Sequence, residues 1–215
     1  MKTIHRSFTA NIIRGMAALS ICLCMVSCAT TIPQLQVQYT LPPSSDPLKG
    51  RAVCLSIEDQ RSDTSILGKG AQAEFTGFTN SVSLSVAEAG QSGSSIGIFQ
   101  ASPLMREVFT RKLERSGLKV LLEKTPGTPS LVIVLKAFSL DLVGRTWRAR
   151  MTYDARLTAE NGAIATQTVN GEAERYELVG REKADPLMSE ILTDMVNAMN
   201  VPRLFEQAGL SESLR

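Results

Sequence analysis

The chain has 215 residues, of which 43% are hydrophobic, so it is long and apolar enough for one sizeable folded core. Its formal net charge is +2, and no basic cluster predicts a nucleic-acid partner. The only histidine, His5, lies in the N-terminal leader described next, which excludes Ser-His-Asp and Cys-His catalysis and an imidazole zinc site from the rest. There is no G-x-G-x-x-G motif, P-loop, G-x-S-x-G motif or clustered set of metal ligands, so we predict no cofactor and no metal.

Residues 1–27 have the pattern of a secretory signal peptide. Lys2, Arg6 and Arg14 come first without any acidic residue, and an apolar run then ends at Ser27. The run covers about 13 residues, whereas a helix needs ~20 to cross a bilayer. We therefore predict that the segment is cleaved and not kept as a membrane span.

The four residues at the end of this segment, Met25-Val26-Ser27-Cys28, resemble the lipobox of bacterial lipoproteins, in which Leu is usual where this chain has Met25. The resemblance implies that Cys28 becomes the first residue and carries a diacylglyceryl thioether and an amide-linked acyl chain. One acyl chain binds a membrane only marginally, at ~0.8 kcal/mol per buried methylene, so two or three chains make the durable anchor. An ordinary signal peptide with an accidental cysteine is the alternative.

Cleavage and lipidation would also account for most of the cysteines. Cys22 and Cys24 leave with the signal and Cys28 carries lipid, which leaves only Cys54. We therefore predict no intramolecular disulfide, and a buried Cys54 that serves as a small apolar residue.

Residues 28–48 are predicted to form a lipid-anchored tether, because four prolines and a single charge lie between Ala29 and Leu48. Within this segment Leu35, Val37 and Tyr39 alternate with glutamines, which predicts a short edge strand.

Residues 49–215 are predicted to form a single α+β domain, with an antiparallel or mixed sheet of about five or six strands covered by two amphipathic helices. The first helix should cover about 103–116, from a cap at Ser102 to a stop at Gly117. The second should begin at Asp185-Pro186 and end at Pro202. Strands are predicted at 52–57, 82–86, 118–124, 130–144 and in the hairpin described next.

Residues 147–159 and 163–175 are predicted to form that hairpin, because apolar and polar residues alternate cleanly along the first of these strands. A three-residue loop, Glu160-Asn161-Gly162, would place Arg150 opposite Glu172 and keep the apolar residues on one face. A two-residue Asn-Gly turn would instead place Arg150 opposite Ala173.

These features together resemble the YajG-type family of bacterial lipoproteins: the lipobox, a proline-containing tether, a strand leading into Asp59-x-Arg61 with Gly68, an amphipathic helix and a long hairpin. The resemblance implies location and architecture more than activity, because that family is largely uncharacterised. Ala29 follows the cysteine where an inner-membrane retention signal usually has Asp. By the sorting rule of enterobacterial lipoproteins, this implies the outer membrane, with the domain facing the periplasm.

Two groups of charged residues are candidate sites. Glu58, Asp59 and Asp63 surround Arg61 and could form either an acid–base pair or an exposed turn in which Arg61 neutralises Asp59 or Asp63. Gly68 would serve there as a residue with a positive backbone angle.

The second group consists of Arg148, Arg150 and Arg156, which share one strand face. They could dock an acidic partner, a headgroup or a phosphate, or form cross-strand ion pairs with Glu172 and Glu174.

The function that fits these observations best is a non-enzymatic accessory or binding role in envelope maintenance or lipid transport, with an envelope protein as partner. A carboxylate-dependent hydrolase of cell-wall glycan is the first alternative, and a carrier of an apolar ligand is the second. The sequence leaves the oligomeric state open.

Overall fold

The computed structural model describes residues 34–178 and 180–210, and these form an α+β fold. The leader, Cys28 and the first part of the predicted tether lie outside the described residues. The elements of the described part are, in chain order, β1 (Leu35–Thr40), β2 (Ala52–Asp59), α1 (Lys69–Glu74), β3 (Val82–Ala87), β4 (Ser94–Phe99), α2 (Ala101–Arg115), β5 (Lys119–Leu121), β6 (Ser130–Val143), β7 (Thr146–Thr158), β8 (Ile164–Tyr176), α3 (Ala184–Ala198) and α4 (Val201–Gln207).

Five strands form a mixed sheet in the order β5-β2-β6-β7-β8. Strands β5, β2 and β6 run parallel, and β6, β7 and β8 are antiparallel. The mixed sheet confirms the predicted fold class. The central position of β6 agrees with its apolar sequence, since Leu131, Ile133 and Val134 are buried on both of its faces.

Helices α2 and α3 pack on the inner face of this sheet. Each helix buries one apolar stripe, and the ring of Phe109 on α2 meets that of Tyr153 on β7 edge to face, with centroids 5.1 Å apart. Met188 and Met195 of α3 and Met199 just after it are buried or packed against the core, so these methionines fill the space between helix and sheet.

The helix ends differ from the predicted ones. Gln100 occupies the N-cap of α2, and Ser102 lies inside the first turn, where it caps nothing. Gly117 has a φ of +86°, as expected for a glycine stop. Pro202 does not end α3, which stops at Ala198, but stands in the first turn of α4, where Asn200 accepts a hydrogen bond from the backbone N–H of Arg203.

A second sheet, which the sequence did not predict as a unit, has the order β1-β3-β4. One edge of β1 is covered by polar side chains of α3: Gln36 N–H donates to Asp185, Gln38 N–H to Ser189 and Thr40 N–H to Thr193, and the Asn197 amide donates to Thr40 O. Because these four side chains are four residues apart, they form a single row along the helix that satisfies the strand edge.

The folded part of the chain therefore includes residues 35–40, inside the segment predicted as a tether. Leu35, Val37 and Tyr39 are at most 1% exposed, which explains their alternation with glutamines. The predicted short edge strand is therefore confirmed, and because it packs in the core, the folded part begins before the predicted boundary at residue 49.

The long hairpin has the predicted register. Arg150 lies opposite Glu172 and Tyr153 opposite Val169. In the loop, Gly162 has a φ of +83° and its N–H bonds to Ala159 O over 3.1 Å. The glycine in a left-handed conformation thus sets the three-residue loop, and with it the face on which every side chain of the hairpin lies.

Candidate functional site

The Asp59–Arg61 pair lies where β2 ends. The guanidinium of Arg61 folds back so that Nε donates to Asp59 Oδ1 over 2.9 Å and Nη2 donates to Oδ2 over 2.8 Å. Its third bond, from Nη1, reaches Phe138 O on β6. Only 4% of the Arg61 side chain is exposed, against 22% of the Asp59 side chain, so the predicted turn pair is shielded on its arginine side and open to water on its carboxylate side.

Hydrogen bonds from Arg61 hold the pKa of the Asp59 carboxyl below its usual value. The carboxylate therefore stabilises the folded state fully above the unfolded pKa of 3.8, and this contribution is lost as the pH falls through the lower folded-state pKa. We expect Asp59→Asn to make stability less dependent on pH in this acidic range. Urea denaturation between pH 5 and pH 2 measures the free energy of unfolding at each pH. If that free energy falls equally steeply with pH in the variant and the parent protein, the expectation is wrong.

Gly68 has a role other than the predicted one. Its φ is −69°, which is open to any residue, so the predicted positive backbone angle is wrong. An added Cβ would instead lie 2.3 Å from Cγ of Asp141. The carboxylate of Asp141 lies this close because its Oδ1 accepts hydrogen bonds from the N–H groups of Gly70 and Ala71 at the start of α1, over 3.0 and 3.2 Å.

Gly70 provides a second close approach and a test of it. Its added Cβ would lie 1.9 Å from the backbone oxygen of Leu142, so we expect Gly70→Ala to loosen α1 and destabilise the protein by about 1–3 kcal/mol. Gly171→Ala is the matched control, because its Cβ would meet only the ends of two side chains, Met195 and Ile191, and no backbone atom. Urea denaturation measures the stability of both variants. If Gly70→Ala and Gly171→Ala lose the same stability, the expectation is wrong.

A polar groove with a volume of about 490 Å³ opens beside this joint, between the loop after β2 and the outer face of β6 and β7. We call it the Lys136 groove, because Lys136 stands at the bulge where the β6–β7 register shifts. The side chains that define it are Arg61, Asp63, Lys136, Ser139, Arg150 and Thr152. The groove thus brings the Asp59–Arg61–Gly68 motif next to one of the three arginines predicted on the hairpin.

Charged side chains at and near this groove already have ion-pair or hydrogen-bond partners within the protein. Lys136 forms an ion pair with Asp154, which also accepts a hydrogen bond from Thr168 over 2.7 Å. These two hydrogen bonds lower the pKa of Asp154. Asp63 accepts the N–H of Ser65 over 2.8 Å and so forms a local turn, not a pair with Arg61.

The arginine face of the hairpin carries cross-strand ion pairs. Arg148 Nε lies 2.9 Å from Glu174, and Arg150 Nε lies 3.1 Å from Glu172. Arg156 lies opposite Thr166 and is exposed. The predicted stripe therefore exists as a row on one open face, with its first two cations neutralised and its third next to a hydroxyl residue.

Residues 34–178 and 180–210 contain no cluster of three or more His, Cys, Asp or Glu side chains able to hold a metal ion. In the same part of the chain, no helix is both long and apolar enough to cross a bilayer.

Comparisons with known proteins identify a shared fold. No family model and no curated protein matches the sequence. Protein XCC0632 of Xanthomonas campestris, a DUF330 protein, is 15% identical with a TM-score of 0.51, over 83% of this chain and 96% of that one. A sequence identity of 15% shows a shared fold and nothing further, and the TM-score of 0.51 supports that shared fold.

Two other solved structures align more weakly. The PelC dodecamer of Paraburkholderia phytofirmans is 9% identical with a TM-score of 0.38, over 78% of this chain and 92% of that one. Lipoprotein GNA1162 of Neisseria meningitidis is 12% identical with a TM-score of 0.27, over 69% of this chain and 99% of that one.

Proposed function

We propose that the protein is a YajG-like lipoprotein of the bacterial envelope, anchored to the outer membrane through lipidated Cys28 and facing the periplasm. Its domain has a non-enzymatic accessory or binding role in envelope maintenance or lipid transport. The lipobox and Ala29 support the anchor and its location. The fold shared with the DUF330 protein supports the architecture.

One observation carries the non-enzymatic part of the proposal: each candidate carboxylate already has a structural partner. Asp59 is held by Arg61, Asp154 by Lys136 and Thr168, and Glu172 by Arg150. Asp63 accepts the N–H of Ser65, and Glu58 accepts the side-chain amide of Gln60. A general acid at neutral pH needs a raised pKa, whereas the pKa of Asp59 and that of Asp154 are lowered. This argues against the glycan hydrolase.

The carrier of an apolar ligand has less support than a binding surface. A carrier needs an enclosed and mainly apolar cavity of a few hundred cubic ångströms. The Lys136 groove is open and polar, and a second groove of about 400 Å³ beside Phe205 includes Arg51 and Thr128 in its wall.

The partner surface that we propose is the outer face of the β6–β8 hairpins, with Arg148, Arg150 and Arg156 as its cations. Because two of the three arginines are balanced by glutamates, the surface presents both signs of charge. Such a surface fits a protein partner with complementary charges of both signs, since exposed charges favour one orientation of docking and add little affinity each.

Photo-crosslinking in the native envelope tests this surface. A photoreactive amino acid replaces Thr166, which lies opposite Arg156, and the control replaces Arg106, which is exposed on α2. We expect a discrete protein adduct from position 166 that is lost with Arg156→Glu, and none from position 106. Equal adducts from both positions, or none from 166, would reject this surface.

A further inference from the structure

Three exposed apolar side chains lie together at one end of the five-stranded sheet. Val143 is opposite Thr146 in the β6–β7 ladder, and Thr146 is opposite Tyr176 in the β7–β8 ladder, so Val143 and Tyr176 flank one residue on the same face. Leu178 follows two residues later. The described part of the chain has seven exposed large hydrophobic side chains, and these three are among them. Their exposed fractions are 49% for Val143, 62% for Tyr176 and 67% for Leu178. We call them the apolar tip.

The backbone beneath the apolar tip is held in place, so the exposure does not come from a frayed end. Glu177 N–H donates to Arg145 O over 2.9 Å, which closes the end of the hairpin. The carboxylate of Glu177 accepts the indole N–H of Trp147 over 2.7 Å. Trp147 is fully buried and meets the ring of Phe75 edge to face. The tip therefore presents its apolar side chains from a packed base.

The N-terminal end of the described chain lies at this same end of the domain. Glu177 also accepts the N–H of Lys183 over 3.2 Å, just before α3 begins. Two residues further on, Asp185 accepts the N–H of Gln36 over 3.2 Å. A short series of hydrogen bonds thus connects the base of the apolar tip with the first residues of β1.

The length of chain before β1 then limits how far a lipid anchor can be from the tip. Six residues lead from Cys28 to Gln34, and six fully extended residues span at most about 20 Å. A free tether up to residue 48 would have allowed a much greater distance. Because β1 is packed in the core, the anchor keeps this end of the domain close to the bilayer.

We infer that the apolar tip contacts the interface of the lipid bilayer and forms a second attachment beside the acyl chains. This inference rests on the proposed lipidation of Cys28. A tyrosine suits the interface because its ring is apolar and its hydroxyl stays hydrated, and Leu178 and Val143 gain by leaving water. The apolar side chains carry the contact, because the charges around the tip are of both signs: Arg145, Arg181 and Lys183 with Glu74, Glu177 and Glu182.

The test compares the two ends of one strand. Tyr176 and Ile164 lie at opposite ends of β8 and are 62% and 61% exposed. Each is replaced by cysteine in the full lipidated chain, with Cys54→Ala removing the remaining free thiol, and labelled with an environment-sensitive fluorophore. The proteins are reconstituted in vesicles of phosphatidylethanolamine and phosphatidylglycerol, with or without brominated acyl chains. We expect a blue shift and quenching by brominated lipid at position 176, and neither at 164.

Intact mass and vesicle flotation of the same samples separate the two proposals. If the chain is lipidated and floats with the vesicles but position 176 shows no quenching, or both positions are quenched equally, the tip contact is rejected and the anchor stands. If the chain carries no acyl groups, the proposed anchor fails. The tip contact then survives only if position 176 alone is still quenched when the protein is added to the vesicles, and otherwise it fails as well.

Discussion

Arg61→Met is expected to destabilise the protein by about 2 kcal/mol, because a largely buried guanidinium loses charge-assisted hydrogen bonds to a carboxylate that water still reaches. The substitution removes both hydrogen bonds to Asp59 and the bond to Phe138 O. The carboxylate of Asp59 is then left with the Arg61 backbone N–H and with the water that reaches its 22% exposed side chain. Urea denaturation at pH 7 measures the loss.

Two further variants show whether the loss of stability comes from the Asp59–Arg61 pair. The double variant Asp59→Asn with Arg61→Met should lose less than the sum of the two single variants, because no uncompensated charge remains. Arg148→Met is the matched control at a half-exposed ion pair, and we expect a change within about 1 kcal/mol. If Arg61→Met and Arg148→Met cost the same, the Asp59–Arg61 pair does not have the structural role described here.

Cys28→Ser is expected to move the protein from the membrane fraction to the soluble fraction of the envelope, or to leave it unprocessed. The physical reason is that two or three acyl chains bind a membrane durably, at ~0.8 kcal/mol per buried methylene, and a hydroxyl in place of the thiol cannot form the thioether. Membrane fractionation with immunodetection measures the change.

Cys54→Ser is the control for this experiment, because Cys54 is a buried free thiol in β2 and should not affect anchoring. The Cys54→Ser protein should remain in the membrane fraction and have the mass expected of the lipidated chain. A Cys28→Ser protein that is processed normally and remains with the membrane would contradict the anchor. In that case the apolar tip alone could be responsible, which Tyr176→Ser combined with Leu178→Ser in the same background would reveal.

The parts of the fold that the sequence predicted well depend on local patterns. The register of the β7–β8 hairpin follows from the alternation in β7 and from Gly162, whose positive φ selects the loop length. Helices α2 and α3 follow from their apolar periodicity. Helix caps were predicted less well, because Ser102 and Asp185 each fit a cap in sequence, whereas in the structure they lie within the first helical turns.

The parts that were not predicted depend on contacts between distant residues. Gly68 is constrained by Asp141, more than seventy positions along the chain, so its own neighbours gave no indication of the reason. The burial of Arg61 depends on a carbonyl of β6. The bulge at Lys136 similarly reflects the pairing of β6 with β7.

One missed feature did leave a signal in the sequence. Asp185, Ser189, Thr193 and Asn197 recur every four residues and cover the edge of β1. The helix was predicted from its apolar positions alone, and these leave the polar row aside. A polar row beside an apolar stripe indicates a strand edge that needs hydrogen-bond partners, and hence that the predicted edge strand packs against this helix.

A non-enzymatic role is tested by replacing four carboxylates singly with amides in the full-length protein: Asp59→Asn, Asp63→Asn, Asp154→Asn and Glu172→Gln. Envelope phenotype is measured against the deletion strain, with protein abundance and location checked for each variant. An amide removes a general base almost completely, whereas a docking surface loses only about 0–1 kcal/mol per exposed charge. We expect every variant that is present at normal abundance and location to retain function. A single variant as defective as the deletion under those conditions would contradict it and favour catalysis.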